Sequence, residues 1–279
     1  IPEPFYANYN GFALASDVNV IPITSKIDDN FALPSIHEFE KKINSKTKAI
    51  LLCNPCNPTG YVYSQEEIIN IANLAKKNDL FIVVDEVYRE FIYTDTKHFS
   101  ILEDEKFSEN AILIDSTSKR YSLCGARVGF IVSKNSEFIE TCLKFALTRL
   151  SPPTLALIAA NHALNSSEDY IENVIKEYYK RREVVINELS QIDNIKFSNP
   201  MGAFYSIIKL PIENAEDFAK FLLTDFSYKN QSVMLSPASG FYSSENYGKD
   251  EVRIAFVLNS EKLKNAIKII KLGLKEFIG

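Results

Sequence analysis

One lysine lies close to two serines, and an arginine follows it eight positions later. The segment reads Ser116-Thr117-Ser118-Lys119, and the arginine is Arg127. Hydroxyls and a guanidinium together suit a phosphate dianion. A lysine amine held beside that phosphate can form a Schiff base with an aldehyde. The combination predicts a site for pyridoxal 5′-phosphate (PLP). Taken alone, the four-residue string fits a surface loop with a solvated lysine better than a PLP site, because most lysines are exposed.

Two further motifs lie upstream, each after a short apolar run. The turn N-P-C-N-P-T-G occupies residues 54–60 and follows the run 49–52. The sequence D-E-V-Y, beginning at Asp85, follows the run 81–84. An acid at the carboxyl end of a buried parallel strand lies where open α/β sheets bind ligands. The same position also suits a helix cap, so Asp85 alone decides nothing.

The order of the motifs is more specific than any one of them. N-P-x-N-P-T-G, D-E-V-Y, S-x-S-K and R-x-G follow one another along the chain. In this order the chain resembles, from its first residue to its last, the class I/II aminotransferases, which are fold-type-I PLP enzymes. The resemblance implies an enzyme that transfers an amino group between an L-amino acid and a 2-oxo acid. Segments 4–12 and 118–122 are most similar to bacterial aspartate aminotransferases, which favours aspartate as the substrate.

The resemblance assigns catalytic roles to particular residues. It implies that Lys119 is the Schiff-base lysine and moves the substrate's α-proton, and that Asp85 pairs with the pyridine nitrogen. Asn57 and Tyr88 correspond to the two donors to the ring's 3′ oxygen, and Tyr88 counts with Lys119 and Asp85 among the catalytic residues. Tyr6 aligns with the aromatic side chain that stacks on the ring, although buried tyrosines are also common in cores.

The remaining assignments concern the phosphate and the substrate. Ser116, Ser118 and Arg127 correspond to phosphate ligands. Arg253, in the segment E-V-R-I-A-F, corresponds to the arginine that grips the substrate α-carboxylate with a bidentate fork, and Asn57 lies with it on the substrate side. An arginine on the surface of an edge strand is the alternative for Arg253.

Composition excludes several classes of protein. The 279 residues carry a formal charge of −5, which gives no reason to expect a nucleic-acid partner. No apolar run approaches the roughly 20 residues of a membrane span, and no signal peptide opens the chain. The spacing of Cys53 and Cys56 could suggest redox chemistry, but no second pair accompanies it. The histidines show no metal-ligand spacing. We therefore expect a cytoplasmic protein with no metal.

Periodicity predicts an α/β protein in two domains. Domain 1–167 alternates apolar runs with helical stretches, which predicts a mostly parallel mixed sheet with helices on both faces. Domain 168–279 is a smaller α+β unit. We expect the cofactor pocket between the two domains. The apolar runs predicted as strands of the large sheet are 18–22, 49–52, 81–84, 111–114 and 128–132.

The chain begins in what resembles the middle of a strand. Family members carry roughly a hundred residues before this point, consistent with the size of large α/β domains. We therefore expect an N-terminally truncated chain, and the inferred function applies to the parent enzyme. Residues 1–279 alone should bind PLP weakly or not at all and lack transaminase activity. The resemblance also implies a homodimer and cis peptide bonds at Glu3–Pro4 and Asn57–Pro58.

Two other functions fit the same cofactor-holding residues. One is a PLP-dependent C–S β-lyase on the same scaffold, which would release pyruvate from cystathionine. The other is a PLP-sensing domain of a transcription regulator, which carries no catalysis. For the favoured function, aminotransfer, we expect an amino acid and a 2-oxo acid as the small-molecule partners.

Overall fold

The computed structural model describes the backbone of residues 1–279 and the side chains of residues 1–167 and 169–279. The β-strands are β1 (Pro2–Glu3), β2 (Ile23–Thr24), β3 (Ala49–Cys53), β4 (Phe81–Asp85), β5 (Ala111–Ser116), β6 (Gly129–Val132), β7 (Lys196–Phe197), β8 (Tyr205–Lys209), β9 (Ser236–Pro237) and β10 (Glu251–Ala255). The α-helices are α1 (Asn8–Ala15), α2 (Ile36–Glu40), α3 (Gln65–Lys77), α4 (Thr117–Arg120), α5 (Ser136–Arg149), α6 (Thr154–Leu164), α7 (Glu168–Leu189), α8 (Ala215–Thr224) and α9 (Ser260–Ile278).

The chain divides into two compact units that are discontinuous in sequence. Unit 1 comprises Ile1, Leu33–Cys56 and Val62–Ile175. Unit 2 comprises Pro2–Ala32, Asn57–Tyr61 and Lys176–Gly279. Short N-terminal segments thus belong to the same unit as the C-terminal third of the chain. The division into 1–167 and 168–279 stays a prediction.

Unit 1 contains a four-stranded sheet in the order β3-β4-β5-β6. The first three strands run parallel and β6 is antiparallel to β5. The predicted α/β class with a mostly parallel mixed sheet is confirmed. The register pairs Asp85 with Ile114 and Ser116 with Gly129. The carboxyl ends of β4 and β5 and the start of β6 therefore lie at the same edge of the sheet.

Helix α3 shows why the sequence between β3 and β4 is helical. The Ser64 hydroxyl accepts from the Glu67 amide, and the Glu67 carboxylate accepts from the Ser64 amide in return. This capping box satisfies amides that would otherwise be unpaired at the helix start. Ile68, Ile71 and Leu74 are buried on the face that packs against β3 and β4. The sequence between β3 and β4 therefore forms one of the helical stretches expected between the strands.

Unit 2 contains an antiparallel sheet in the order β7-β8-β10-β9 and a two-stranded parallel pair of β1 with β2. On the central strands, Arg253 of β10 pairs with Ile207 of β8. The amphipathic helices α8 and α9 contribute buried side chains such as Phe218 and Ile270. Residues 168–279 contain both strands and helices, in agreement with the predicted α+β class.

Gly60 fixes how closely one turn of unit 2 approaches another. Its φ is +75°, and a Cβ built there would lie 2.4 Å from Pro200 Cβ. The amides of Met201 and Gly202 both donate to the Gly60 carbonyl at 2.8 Å. No larger residue fits this contact without movement.

The predicted strand at 18–22 is wrong. Val18 and Ile21 are 58% and 48% exposed, and strand β2 begins only at Ile23 and pairs with β1 in unit 2. Pro22 has no amide hydrogen to donate to a ladder, which disfavours an interior strand there. No helix among the described residues is both long and apolar enough to cross a bilayer.

The predicted cis bonds at Glu3–Pro4 and Asn57–Pro58 are confirmed. A third cis bond, at Asn54–Pro55, was not predicted.

Candidate active site

The sheet edge of unit 1 brings together most of the residues predicted for the cofactor. Asp85 is the last residue of β4, and Ser116 is the last residue of β5. Lys119 lies in the single turn α4 that follows β5 directly, and Arg127 precedes β6. Because β6 reverses direction, the arginine returns to the edge from which the lysine turn departs.

The two serines form one hydroxyl cluster. Ser116 Oγ lies 2.8 Å from Ser118 Oγ and 3.0 Å from the Val128 carbonyl, and it accepts from the Ser118 amide at 3.0 Å. Ser116 is thus the N-cap of α4. Both serines are half-buried at the start of a helical turn, where their hydroxyls could donate to a phosphate group.

The Lys119 amine forms no ion pair with an acid among the residues whose side chains the structure describes. Its side chain is half-buried, and Nζ lies 5.8 Å from the centroid of the Tyr88 ring. Within the described part of the chain, Nζ makes no hydrogen bond and no ion pair. An amine beside an aromatic ring fits the lysine of a PLP site, because the amine must lose its proton to form a Schiff base and an ion pair with a carboxylate would favour the protonated form.

Arg127 has an unusual backbone. Its φ is +57°, in the left-handed region, and its side chain is exposed. Nη1 donates to the Cys124 carbonyl at 2.9 Å. No described hydrogen bond joins Arg127 to Ser116 or Ser118. The remaining guanidinium donors can reach an anion from solvent, so its role as a phosphate ligand stays a prediction.

Asp85 is the last residue of β4, and Tyr88 lies in the turn that follows it. Asp85 Oδ1 accepts from the Val87 amide at 3.2 Å, and the Asp85 side chain is half-buried. Tyr88 is 3% exposed and packs against Phe91. A carboxylate at the end of a central strand can accept a hydrogen bond from a protonated ring nitrogen. Asp85 therefore fits the pyridine end of PLP.

Glu86 is a buried acid that the sequence motifs do not explain. Its side chain is fully buried, and Oε1 accepts from Ser100 Oγ at 2.9 Å. His98 Nε2 lies 3.7 Å from Oε2. Burial raises the pKa of Glu86 to about 7, and burial also lowers the pKa of His98. Glu86 therefore favours the neutral form at a pH where Asp and Glu are normally ionised.

Unit 2 brings together the two residues predicted to bind substrate. Arg253 Nη1 donates to Asn57 Oδ1 at 2.9 Å. A guanidinium has only donors, so it can face only the oxygen of the amide. Asn57 Nδ2 is thereby left as a donor, which is what its predicted bond to the 3′ oxygen of PLP requires.

Two aromatic rings hold the Arg253 guanidinium. Its Cζ lies 4.5 Å from the Tyr205 ring centroid and 4.7 Å from the Phe241 ring centroid. Nε is buried and has no acceptor among the described residues. A buried donor without a partner is costly, and a carboxylate would satisfy it. Arg253 is therefore suited to hold a substrate carboxylate, and the surface-arginine alternative does not fit this burial.

Tyr6 lies at the start of unit 2, before α1. Its ring meets the Tyr9 ring edge-on with centroids 5.5 Å apart, and Asn8 Nδ2 donates to Tyr6 Oη at 2.9 Å. The side chain is half-buried rather than part of the core. Its stacking role stays a prediction.

The sequence did not indicate the residues that surround these groups. Arg120, next to Lys119, pairs with Glu90 and Asp115. The rings that flank Arg253 were also missed. The sequence did contain a hint of the Arg120 contacts, because this charged residue directly follows Lys119. Its partners are distant in sequence and could not be identified without the fold.

The chain is similar over nearly its whole length to proteins named as aminotransferases. The aspartate aminotransferase of Pyrococcus abyssi is 31% identical over 281 residues, covering 99% of this chain and 69% of that protein. The crystal structure of an aromatic aminotransferase from Pyrococcus horikoshii has a TM-score of 0.88 at 29% identity, over 99% of this chain and 73% of that chain. An aspartate aminotransferase structure from Thermotoga maritima has a TM-score of 0.87 at 30% identity, over 98% and 68%.

The family described as aminotransferase class I and II matches residues 1–270. Its members use PLP to transfer amino groups. The fold of unit 1 and the donors at its sheet edge agree with that chemistry. The chain belongs to the class I and II aminotransferases, which are PLP-dependent enzymes.

Proposed function

We propose that Lys119 carries PLP in an enzyme that transfers the amino group of L-aspartate to a 2-oxo acid. The observation that carries the proposal is the half-buried Lys119 amine, 5.8 Å from the Tyr88 ring and with no acid partner among the described residues. The hydroxyls of Ser116 and Ser118 lie at the start of the same helical turn.

The residues of unit 1 would hold the cofactor by its two polar ends. Ser116, Ser118 and Arg127 would bind the phosphate, and Asp85 would hold a proton at the pyridine nitrogen. When bound, PLP supplies an electron sink for the α-carbon of the substrate. The amine of Lys119 would then take the α-proton and return it, which requires the neutral amine as a base.

The residues of unit 2 would bind the substrate and the ring. Arg253 would hold the α-carboxylate with Nε and its remaining donors, while Asn57 fixes the guanidinium from one side. The family assigns the ring oxygen to Asn57 and Tyr88 and the ring face to Tyr6. These roles rest on the donor sets and on the family.

Aspartate as the substrate rests on the names of relatives. The Pyrococcus abyssi and Thermotoga maritima proteins are named for aspartate, and the Pyrococcus horikoshii structure is named for aromatic amino acids. The relatives do not favour the β-lyase or the regulator, since they are named for amino-group transfer.

The test is a single half-reaction with the PLP-loaded parent enzyme. Mixing with aspartate should consume the absorption band of lysine-bound PLP and release one equivalent of oxaloacetate. Phenylalanine serves as the comparator, and a faster reaction with phenylalanine would reassign the substrate. Borohydride reduction followed by peptide mapping should place the pyridoxyl group on Lys119. A label on another lysine would remove the basis of the proposal.

We propose further that the protein is a cytoplasmic homodimer. Helices α5 and α6 expose large apolar side chains, including Phe145 at 73% and Leu155 at 81%. Patches of this kind mark association surfaces. The four cysteines are free thiols, which suits a reducing compartment. Light scattering on the purified protein would give the mass, and a monomer at micromolar concentration would contradict the dimer.

A further inference from the structure

The lysine turn α4 is too short to be stable alone. It spans four residues, Thr117–Arg120. Forming the first turn of a helix is unfavourable, and isolated helices shorter than about 12 residues are marginal. The Ser116 cap satisfies only its N-terminal end. The position of the Lys119 amine therefore depends on what holds the other end of the turn.

Arg120 holds that end by contacts to two acids. Nη2 donates to Asp115 Oδ2 at 2.8 Å, and Nε lies 2.7 Å from Glu90 Oε1. The side chains are largely buried: Arg120 and Asp115 are each 11% exposed, and Glu90 is 19% exposed. One guanidinium thus ties the lysine turn to the end of β5 and to the segment that follows β4.

The contacts continue to the hydroxyl cluster. Asp115 Oδ1 accepts from the Ser116 amide at 2.7 Å, so one carboxylate joins Arg120 to the cap of the turn. Burial disfavours a charged guanidinium here, but Glu90 and Asp115 outweigh it and raise the pKa of Arg120. Arg120 is therefore charged throughout the working range of pH, and the contacts do not switch.

We propose that Arg120 is a positioning residue for Lys119: by bridging Glu90 and Asp115 it fixes the turn that carries the amine. The proposal rests on the proposed function, in which Lys119 carries PLP. Nη2 donates a hydrogen bond to Asp115, whereas Nε forms an ion pair with Glu90 without a hydrogen bond, so the guanidinium reaches both acids from different atoms. A lysine keeps the charge but has a single ammonium, which cannot reach both acids from two separate positions.

Three variants separate position from charge. Arg120→Lys keeps the charge but cannot reach both acids, while Arg120→Met also loses the charge. Arg89→Met is the matched control, because Arg89 Nε also contacts Glu90 Oε1, at 3.2 Å, but Arg89 lies outside the lysine turn. For each purified protein, the rate at which lysine-bound PLP absorption appears is measured together with the thermal midpoint, kcat and KM.

We expect Arg120→Lys to bind PLP to Lys119 at least about tenfold more slowly and to lower kcat by a similar factor, because a misplacement of about 1 Å can cost about a hundredfold in rate. KM for the amino acid should stay within about twofold, since Arg253 is unchanged. Arg89→Met should match the wild type in the rate of PLP attachment, in kcat and in KM.

The outcomes are distinguishable. If Arg120→Met does not fold, the comparison of Arg120→Lys with Arg89→Met decides. Wild-type PLP kinetics in a folded Arg120→Lys variant would overturn the proposal, as would equal losses in Arg120→Lys and Arg89→Met. Borohydride labelling of the wild type on a lysine other than Lys119 would instead refute the proposed function, and the inference with it.

Discussion

The guanidinium of Arg253 donates to the amide oxygen of Asn57 at 2.9 Å, although the two residues are 196 positions apart in sequence. Arg253 lies in strand β10 near the C-terminus, and Asn57 lies in the N-P-T-G turn. Because arginine can only donate, the pair fixes both the orientation of the amide and one edge of the guanidinium. Two predicted site residues thus orient each other.

Replacing Asn57 by Asp should weaken substrate binding. The new carboxylate would pair with Arg253 and compete with the substrate carboxylate for the same donors. We expect KM for the amino acid and for the oxo acid to rise by about tenfold or more, equivalent to about 1.4 kcal/mol. Steady-state kinetics on the PLP-loaded enzyme measure the change, and an unchanged KM would contradict this role of Arg253.

Replacing Asp85 by Asn should abolish transamination while PLP still binds. The amide has nearly the same shape but does not hold a proton at the ring nitrogen, so the electron sink is lost. We expect turnover to fall by several orders of magnitude in single-turnover assays. Retained labelling of Lys119 by borohydride is the control for cofactor binding, and near-normal turnover would rule out this role of Asp85.

Replacing Gly60 by Ala should destabilise the fold. The added Cβ would lie 2.4 Å from Pro200 Cβ, on a backbone whose φ is +75°. Overpacking and left-handed backbone together should cost about 2 kcal/mol or more in the free energy of unfolding.

Gly11→Ala is the matched control for that substitution. Gly11 lies in helix α1, and a Cβ there meets nothing within 4 Å. The substitution should be neutral or stabilising by about 0.5–1 kcal/mol. Urea denaturation of both variants gives the comparison, and equal stabilities would show that the Gly60 contact with Pro200 is not tight.

Glu86 should make stability fall as the pH rises. Its pKa is about 7 in the folded protein, above the ordinary value of 4.5, so between these values the folded state binds more protons than the unfolded state. Glu86 therefore costs nothing below about pH 4.5 and costs most above about pH 7. We expect Glu86→Gln to match the wild type at pH 5 and to exceed it at pH 8 by on the order of 3 kcal/mol.

Denaturant titrations at several pH values measure this difference between the two proteins. The comparison is needed because His98, beside Glu86, has a lowered pKa and contributes the opposite slope at acid pH. A difference that does not change with pH would show that Glu86 ionises normally in the folded state.

The elements that could be predicted from the sequence are those that local chemistry decides. The apolar runs 49–52, 81–84 and 111–114 were predicted as strands from residue types within a few positions, and each lies in a strand of the sheet. The prediction at 18–22 failed because a run of apolar residues cannot show whether a partner strand is present. The contacts of Arg120, and the rings of Tyr205 and Phe241 around Arg253, depend on segments far apart in sequence, so only the fold reveals them.

The reversed strand β6 has a consequence for the order of folding. Because Ser116 pairs with Gly129, residues 117–128 form a closed loop that carries Ser118, Lys119 and Arg127. Closing so short a loop costs little entropy. Asp85 joins this group only when β4 pairs with β5 across a 25-residue crossover, which forms more slowly. The segment that we predict to bind the phosphate can therefore assemble as a local hairpin before Asp85, the acid predicted to pair with the ring, joins it.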